Sequence, residues 1–539
     1  MWGVLLRSII LFCCFCGIFV SSQEFSPVSV PQEVVESAAE EKAAKKDASK
    51  CDVACAALAS ALPSKVFLAK EGNFQYWDSK CADLQPACRL EPESAQDVAT
   101  AYGIVKEHEC QFAIKSGGHG LHPGASNVEG GVVFDLSRSL NTITISADKK
   151  TVDIGPGARW LQVYEELEKD ELIVLGGRVA DVGVGGLILG GGISFYTAKQ
   201  GFACDHVLEM EIVLPDGTIT TASETNHADL FKALKGAGQS NFGIVTRFTL
   251  EAMPNPSPKG LWWSNRFFAW DKRAALSRAH TKYITEGLGN DASSLGQFQT
   301  WAQTKEYGRL IISNLWHTSH ESPDSFPKTF EHYKEIEAWE GATSEMLPQS
   351  NVTIKLELSN PYGMRTSYHS FCYKPSAELE DKFAELFEEA LEKIKDVDTW
   401  GFVIVQQPIS RAAIAASKKR GGNAMGLEEE DGPLVIWHIP WSWFNAKDDE
   451  LMRTVGRELR EKSEEVAKEA GLWHRYRYTN YAEESQEAYK GYGEEMLKWL
   501  KQVQKKYDPE GIYTKGGLNS GYFKLNEKEE VVERIRDEL

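Results

Sequence analysis

Between Lys115 and Asn127 the chain reads Lys-Ser-Gly-Gly-His-Gly-Leu-His-Pro-Gly-Ala-Ser-Asn. Gly117, Gly118, Gly120 and Gly124 allow a tight turn whose bare N–H groups approach a phosphate closely. A second run follows, with Gly183, Gly185 and Gly186, then Gly190, Gly191 and Gly192. A short apolar run precedes each loop, and two such loops can grip a diphosphate from both sides. His119, in the middle of the first loop, has no place in a plain phosphate cradle and calls for chemistry of its own. Neither run is Gly-x-Gly-x-x-Gly, and neither ends in Gly-Lys-Ser/Thr. The elbow Gly-x-Ser-x-Gly and the zinc motif His-Glu-x-x-His are absent too. On glycine content alone, the two runs would serve equally as tight turns of an all-β region.

Their ordered sequel decides between these readings. Ser116-Gly-Gly-His119 is followed by Asp181-Val-Gly-Val-Gly-Gly186, then Gly190-Gly-Gly-Ile-Ser194, Asn241-Phe-Gly-Ile-Val-Thr246 and Tyr478-Thr-Asn-Tyr481. In this the chain resembles the FAD-linked oxidases of the vanillyl-alcohol oxidase superfamily, the berberine-bridge-enzyme-like branch and its fungal members above all. The resemblance spans roughly Cys88 to Leu525 and is looser over Pro254–Gly471.

The resemblance implies FAD, with His119 bonded covalently to the flavin 8α-methyl group. Val179 stands where many members carry a cysteine that makes a second flavin bond, so a single attachment is expected. The backbone of Ser116, Gly117, Gly118 and Gly120, with Asp181, Val182, Gly183, Gly185, Gly186, Gly190, Gly191 and Gly192, should hold the diphosphate and ribityl chain. Ile244 and Val245 should lie against the ring, and Lys115 is placed to neutralise phosphate or, as a lone strand-end lysine, to be solvated. His122 matches nothing in the motif and reads as structural.

Tyr478, Asn480 and Tyr481 correspond to the motif near the flavin ring. If this stretch is a strand, Tyr478 and Asn480 point the same way. Asn480 would then bond the ring's polar edge while Tyr478 faces the substrate. A phenol with its free pKa of about 10 is a poor base without a neighbouring cation or hydrogen-bonding partner. His438 is the candidate partner, lying where plant relatives carry an acid/base pair that here is Ile436 and His438. The aromatic stretch Trp437–Phe444 reads either as a pocket for a flat substrate or as core.

The elements around these residues are mixed. A capping box at Ser94 and Asp97 opens a helix whose Val98, Tyr102 and Val105 share a stripe. Strands are expected at Phe112–Ile114, Gly131–Asp135, Thr142–Ser146, Thr151–Ile154, Ile173–Leu175, His206–Leu214, Thr218–Thr221 and Val245–Leu250, with a helix over Trp160–Glu168. Beyond Pro254 come a hairpin of Phe298–Gln303 with Arg309–His317, helices near Ser376–Lys395 and Lys447–Ala470, and buried strands at Phe402–Gln406 and Leu434–Ile439. A last helix is expected near Glu483–Tyr507. The fold class is therefore α+β: a two-subdomain PCMH-type FAD-binding domain over 81–254 and a substrate domain over 255–472, an antiparallel sheet covered by helices. Residues 473–525 return to the flavin domain, and 526–539 form a charged tail.

The 539 residues suffice for two sizeable cores, and 42% hydrophobic with 25% charged residues is ordinary for a soluble protein. A net charge of −19 argues against nucleic acid or an anionic membrane as partner. Arg7 and the apolar run Ser8–Val20 read as a signal peptide over 1–22, too short to span a bilayer. A mobile leader, Glu24–Lys50, and a helix at Asp52–Leu62 complete 23–80. Of the seven remaining cysteines, five precede the first loop, which predicts one or two disulfides and at least one free thiol. Asn351-Val-Thr is a glycosylation sequon. The C-terminal Arg536-Asp-Glu-Leu539 resembles an endoplasmic-reticulum retention signal, or is a charged helical tail.

Together these readings give an FAD-dependent oxidase. It would act on a secondary metabolite or carbohydrate, with a tyrosine or histidine taking the proton and dioxygen the electrons. The alternatives are a catalytically degenerate flavin-binding protein of the secretory pathway, motivated by the missing acid/base pair, and a dehydrogenase with another acceptor.

Overall fold

A computed structural model describes residues 49–68, 75–288, 297–339 and 342–527. The signal peptide, nearly all of the leader and the C-terminal tetrapeptide lie outside the described residues. No helix of the described residues is long and apolar enough to cross a membrane.

The chain enters through a helix, Lys50–Ala61, opened by a capping box between Ser49 and Asp52. Cys51 and Cys55, one turn apart on it, are bonded to Cys110 and Cys88. Cys81, Cys204 and Cys372 remain as buried thiols. The next long helix, Ala95–Glu107, is capped by the Ser94 side chain and buries Val98, Tyr102 and Val105 as its apolar stripe requires. It delivers the chain to Phe112–Lys115, the edge of a four-stranded sheet, beside and parallel to Val132–Asp135.

A second sheet of five antiparallel strands runs, in spatial order, Ile143–Ile145, Thr151–Ile154, Ile244–Glu251, Val207–Val213 and Ile219–Ser223. Between its strands the helix Trp160–Glu168 buries Trp160, Val163, Tyr164 and Leu167. The strand expected at Ile173–Leu175 is the short Leu172–Ile173, paired with Met253–Pro254.

The largest sheet has eight strands, and every pairing in it is antiparallel. Its order is Thr343–Leu347, Leu261–Ala269, Gly308–His317, Gln297–Thr304, Gly401–Ile409, Leu434–Trp443, Arg365–Tyr373 and Trp473–His474. Strand alternation divides its two faces. From Leu434–Trp443, the residues Val435, Trp437, Ile439, Trp441 and Trp443 pack against the helices Ala377–Ile394 and Asp449–Glu469. Burying side chains of this size contributes about 1.5–3 kcal/mol each. The other face turns Ile436 into the flavin-side core and leaves His438, Pro440 and Ser442 bordering a cavity. The tryptophans of the stretch 437–444 and Ile439 are thus core, whereas His438, Pro440 and Ser442 line the pocket. Helices and sheet make the α+β architecture expected.

Two elements differ from the sequence reading. The last helix begins at Glu494, not near Glu483. Over 483–486 the side chains compete with helical backbone bonding. The Glu483 carboxylate accepts from Ser485 N (2.9 Å), and Gln486 Oε1 accepts from the backbone N–H groups of Glu483 (3.0 Å) and Ser370 (3.1 Å). Gly493, at φ 94°, then turns the chain into the helix. The second difference is Thr479–Tyr481, which is one turn of 3₁₀ helix and not a strand.

Candidate active site

Both glycine loops open onto one cavity of about 560 Å³ beneath the open face of the eight-stranded sheet. The first loop leaves the strand Phe112–Lys115, and the second runs into the short helix Val184–Leu189. They touch back to back: a Cβ on Gly117 would stand 2.5 Å from Gly183 N, and one on Gly183 would stand 2.2 Å from Gly117 N. Arg159 clasps the pair. Its guanidinium donates to Gly117 O (3.0 Å) and to Asp181 O, and reaches the Tyr362 hydroxyl (3.1 Å) on the substrate side.

Ser116, Gly117, Gly118, His119, Gly120, Val182, Gly183, Gly185, Gly186, Ile244 and Val245 all line the cavity. Gly190, Gly191 and Gly192 do not; they let neighbours close in instead. A Cβ on Gly190 would lie 2.3 Å from Asn480 Oδ1, one on Gly191 2.6 Å from Met425 Sδ, and one on Gly192 2.7 Å from the Ala203 side chain. Asp181 also stands behind the loop, its N–H donating to Glu357 Oε2 (3.2 Å). Lys115 neither reaches the cavity nor meets water. Only 3% exposed, its ammonium is bound to Asp135 (3.0 Å) and Ser137 (3.0 Å), so its charge is spent inside the protein. Burial lowers its pKa against the opposing pull of Asp135.

The His119 imidazole lies flat against the indole of Trp77, with centroids 4.4 Å apart and planes at 11°. Its Nε2 is buried without a hydrogen-bond partner. Burial, with the nearby Arg159 charge in the same sense, holds its pKa down at about 3, leaving a neutral ring. His122 also borders the cavity and is held to Ala482 O through Nε2 (3.1 Å).

The opposite wall carries Tyr478, Asn480, Tyr481 and His438. A 3₁₀ turn brings residues i and i+3 to one side. Tyr478 and Tyr481 therefore meet edge to face at 4.9 Å, in place of the shared direction of Tyr478 and Asn480 that a strand would give. Asn480 instead donates to the Tyr478 hydroxyl (2.8 Å) and accepts from Gln239 Nε2 (2.7 Å). Tyr478 is 2% exposed, and burial pushes its hydroxyl well above the ordinary phenol range. His438 does not partner Tyr478. It stacks on Tyr481 with centroids 4.1 Å apart and planes at 2°, and Tyr368 meets it edge-on at 4.4 Å. Burial lowers the His438 pKa to about 3, with the Arg178 charge adding to the effect.

Beside Tyr481 stands a cation that the sequence reading passed over, Arg178. Its Nη2 donates to Tyr481 Oη (3.0 Å) and to Gln407 Oε1 (2.9 Å), and the residue is 6% exposed. The signal was present, because an arginine inside Val174-Leu-Gly-Gly-Arg-Val-Ala180 interrupts an otherwise uncharged run. Overhead, the sheet contributes Phe267, Ile312, Val403 and Val405 together with Asn265 and Asn314, whose amides are paired at 2.7 Å.

A bare-backbone cradle, an unpartnered imidazole and an apolar strand at Ile244–Val245 fit a dinucleotide flavin. Comparison with known proteins agrees. Residues 86–223 match the family described as FAD binding domain. A FAD-dependent monooxygenase of Cochliobolus heterostrophus is 34% identical over 474 residues, covering 84% of this chain and 87% of its own. A FAD-dependent monooxygenase of Emericella nidulans is 35% identical over 486 residues, covering 88% and 98%. In fold, the chain is similar to glucooligosaccharide oxidase from Acremonium strictum (TM-score 0.66, 20% identity, 88% and 99% covered). It is likewise similar to the berberine-bridge-enzyme-like 1 protein of Physcomitrella patens (TM-score 0.68, 18% identity, 87% and 99% covered). The chain belongs to the family of these fungal FAD-dependent monooxygenases, FAD-dependent oxidoreductases built on an FAD binding domain.

Proposed function

We propose that the protein is an oxidase that takes a hydride and a proton from a small organic substrate and delivers the electrons to dioxygen, giving hydrogen peroxide. The observation that carries this reading is the Arg178–Tyr481 contact at the wall of a cavity floored by the two glycine loops. Bound flavin supplies the hydride acceptor and the route to dioxygen. The main-chain N–H groups of Ser116–Gly120, Gly183 and Gly186 would hold its diphosphate, Ile244 and Val245 would pack on it, and His119 would tether it; the Gly185 N–H is already spent on Pro156 O (3.1 Å). Val179, also at the cavity, cannot form a second tether.

Tyr481 takes the substrate proton. The Arg178 guanidinium on its oxygen stabilises negative charge there, and the neutral His438 ring fixes its plane. Tyr478, whose hydroxyl stays protonated, orients Asn480. The apolar roof with its paired asparagines supports a flat, largely apolar substrate, a secondary metabolite in preference to an oligosaccharide. The solved oligosaccharide oxidases of like fold keep the latter in view. The relatives' name favours a second reading, in which one oxygen atom enters the product. Incubation of the purified protein with a panel of aromatic metabolites and sugars, following oxygen uptake and peroxide, tests the proposal. Peroxide equal to product supports the oxidase. Labelled oxygen in the product with little peroxide supports the monooxygenase, and a flavin never reduced by any substrate and slow to reoxidise in air supports a binding protein.

We further propose that the protein works in the secretory pathway; the signal-peptide reading and the disulfides Cys51–Cys110 and Cys55–Cys88 support this. Retention through Arg536-Asp-Glu-Leu539 is tested by one added C-terminal residue, which should raise the secreted fraction.

A further inference from the structure

We infer that Trp77 is the positioning residue that sets the His119 imidazole for its bond to the flavin. This rests on the covalent attachment proposed above and assigns a new part in it. Four observations carry it. The indole and imidazole planes are 11° from parallel at 4.4 Å, the arrangement of a full ring-on-ring stack. His119 Nε2 is buried with no hydrogen-bond partner, and the ring's recorded hydrogen bond is to its own main chain, so the indole face is the restraint supplied from another residue. Trp77 itself is 4% exposed and pinned at three points. Its N–H donates to Gly118 O (3.0 Å), its carbonyl accepts from Gly363 N (3.1 Å) and its Nε1 donates to Asn360 O (2.9 Å). Finally, Trp77 borders the same cavity as His119, so the stack forms part of the cavity wall.

The geometry explains why such a restraint is needed. Attachment joins an imidazole nitrogen to the flavin 8α-carbon. The methyl group loses one hydrogen, the imidazole loses its N–H proton, and the two electrons released enter the flavin and pass to dioxygen as hydrogen peroxide. A nitrogen that must meet one carbon along one line gains from a ring that cannot swing, because orientation supplied in advance lowers the barrier. Trp77 lies between the first two strands of the four-stranded sheet, Val66–Leu68 and Cys88–Leu90, and is bonded to the turn 360–363, so it couples attachment to the docking of that turn.

The test uses the full chain, purified without flavin and mixed with FAD in air, for wild type, Trp77→Leu, Trp77→Phe and His119→Ala. The readouts are flavin held after gel filtration, flavin held after acid precipitation, and melting temperature. Trp77→Leu should bind FAD but attach it about tenfold more slowly, equivalent to about 1.4 kcal/mol of lost ring contact. Trp77→Phe, which keeps an aromatic face, should recover most of the rate. A Trp77→Leu chain that attaches FAD at the wild-type rate overturns the inference, as does a stably folded Trp77→Phe as slow as the leucine variant. If Trp77→Leu fails to fold, the phenylalanine variant alone decides: a rate within about threefold of wild type is expected, and a loss as large as that of His119→Ala refutes it. Wild-type protein whose acid pellet is colourless refutes the covalent reading itself, an outcome distinct from normal attachment in the leucine variant.

Discussion

Gly183→Ala is the perturbation that bears most sharply on how the two loops hold a cofactor. The added Cβ would lie 2.2 Å from Gly117 N, 2.4 Å from Ser116 Oγ and 2.7 Å from Gly117 Cα, against 3.4 Å or more in ordinary contact. Two of these atoms are backbone, so the loops must part by more than 1 Å. Overpacking of this kind costs about 1–3 kcal/mol, a modest fall in melting temperature. The larger effect falls on the cradle. Parting the loops lengthens charge-assisted N–H contacts to phosphate, each contributing about 1.5–3 kcal/mol. Loss of two weakens FAD binding at least ~100-fold. Gly103→Ala is the internal control. It sits in the helix Ala95–Glu107 outside the cavity lining, and no atom lies within 4 Å of its added Cβ. Alanine there should bind flavin as wild type does and gain about 0.5–1 kcal/mol of helix stability. Flavin per chain after purification and the shift of melting temperature with added FAD measure both. Wild-type flavin content in Gly183→Ala, or equal loss in Gly103→Ala, would refute the back-to-back cradle.

Three further outcomes follow from the site. Tyr481→Phe should slow flavin reduction by a good substrate about 10²–10⁴-fold, and Arg178→Met should add little on top of it, because Arg178 acts through that hydroxyl; costs that simply multiply would separate the two residues. His438, with a folded pKa near 3 against about 6.5 unfolded, binds its proton more weakly when folded, so its share of stability is complete above pH 6.5 and lost as pH falls toward 3. Between pH 7 and pH 5 the wild type should lose about 2 kcal/mol more than His438→Gln in denaturant titrations; parallel curves would count against a neutral, buried His438. Lys115→Met should lower stability by about 3 kcal/mol by leaving Asp135 buried without its ammonium partner, while flavin bound per folded chain stays unchanged; flavin loss at normal stability would return Lys115 to the phosphates.

Much of the framework could be read from the sequence because its signals are local. The cap at Ser94 and the period of Trp160–Glu168 place their elements within a residue or two. The hairpin around 305–307 is as legible. Glu483–Gly493 looked helical because its composition is helical; what stops the helix is side-chain bonding to Ser370 and a left-handed Gly493, which composition does not record. Lys115 was misread for a related reason. Its partner Asp135 is twenty residues on, in the neighbouring parallel strand, and only sheet pairing brings the two together. The stretch marked by the motif around Tyr478 lines the cavity, but a 3₁₀ turn and a strand differ in which side chains share a direction, and so it is Tyr481 that meets Arg178. Trp77 and Arg159 carry no motif, and their parts come wholly from packing across the loops. Cysteine pairing was likewise open until the helix Lys50–Ala61 was placed against Cys88 and Cys110.

The central claim is that one imidazole carries the flavin. Tryptic digestion after acid precipitation, with mass analysis of the peptide running from Ser116 to Arg138, tests it most directly. The account predicts that peptide bearing the mass of FAD less two hydrogens at His119, and no flavin on the peptide that contains Val179. An unmodified Ser116–Arg138 peptide, with all the pigment recovered in the acid supernatant, would contradict it.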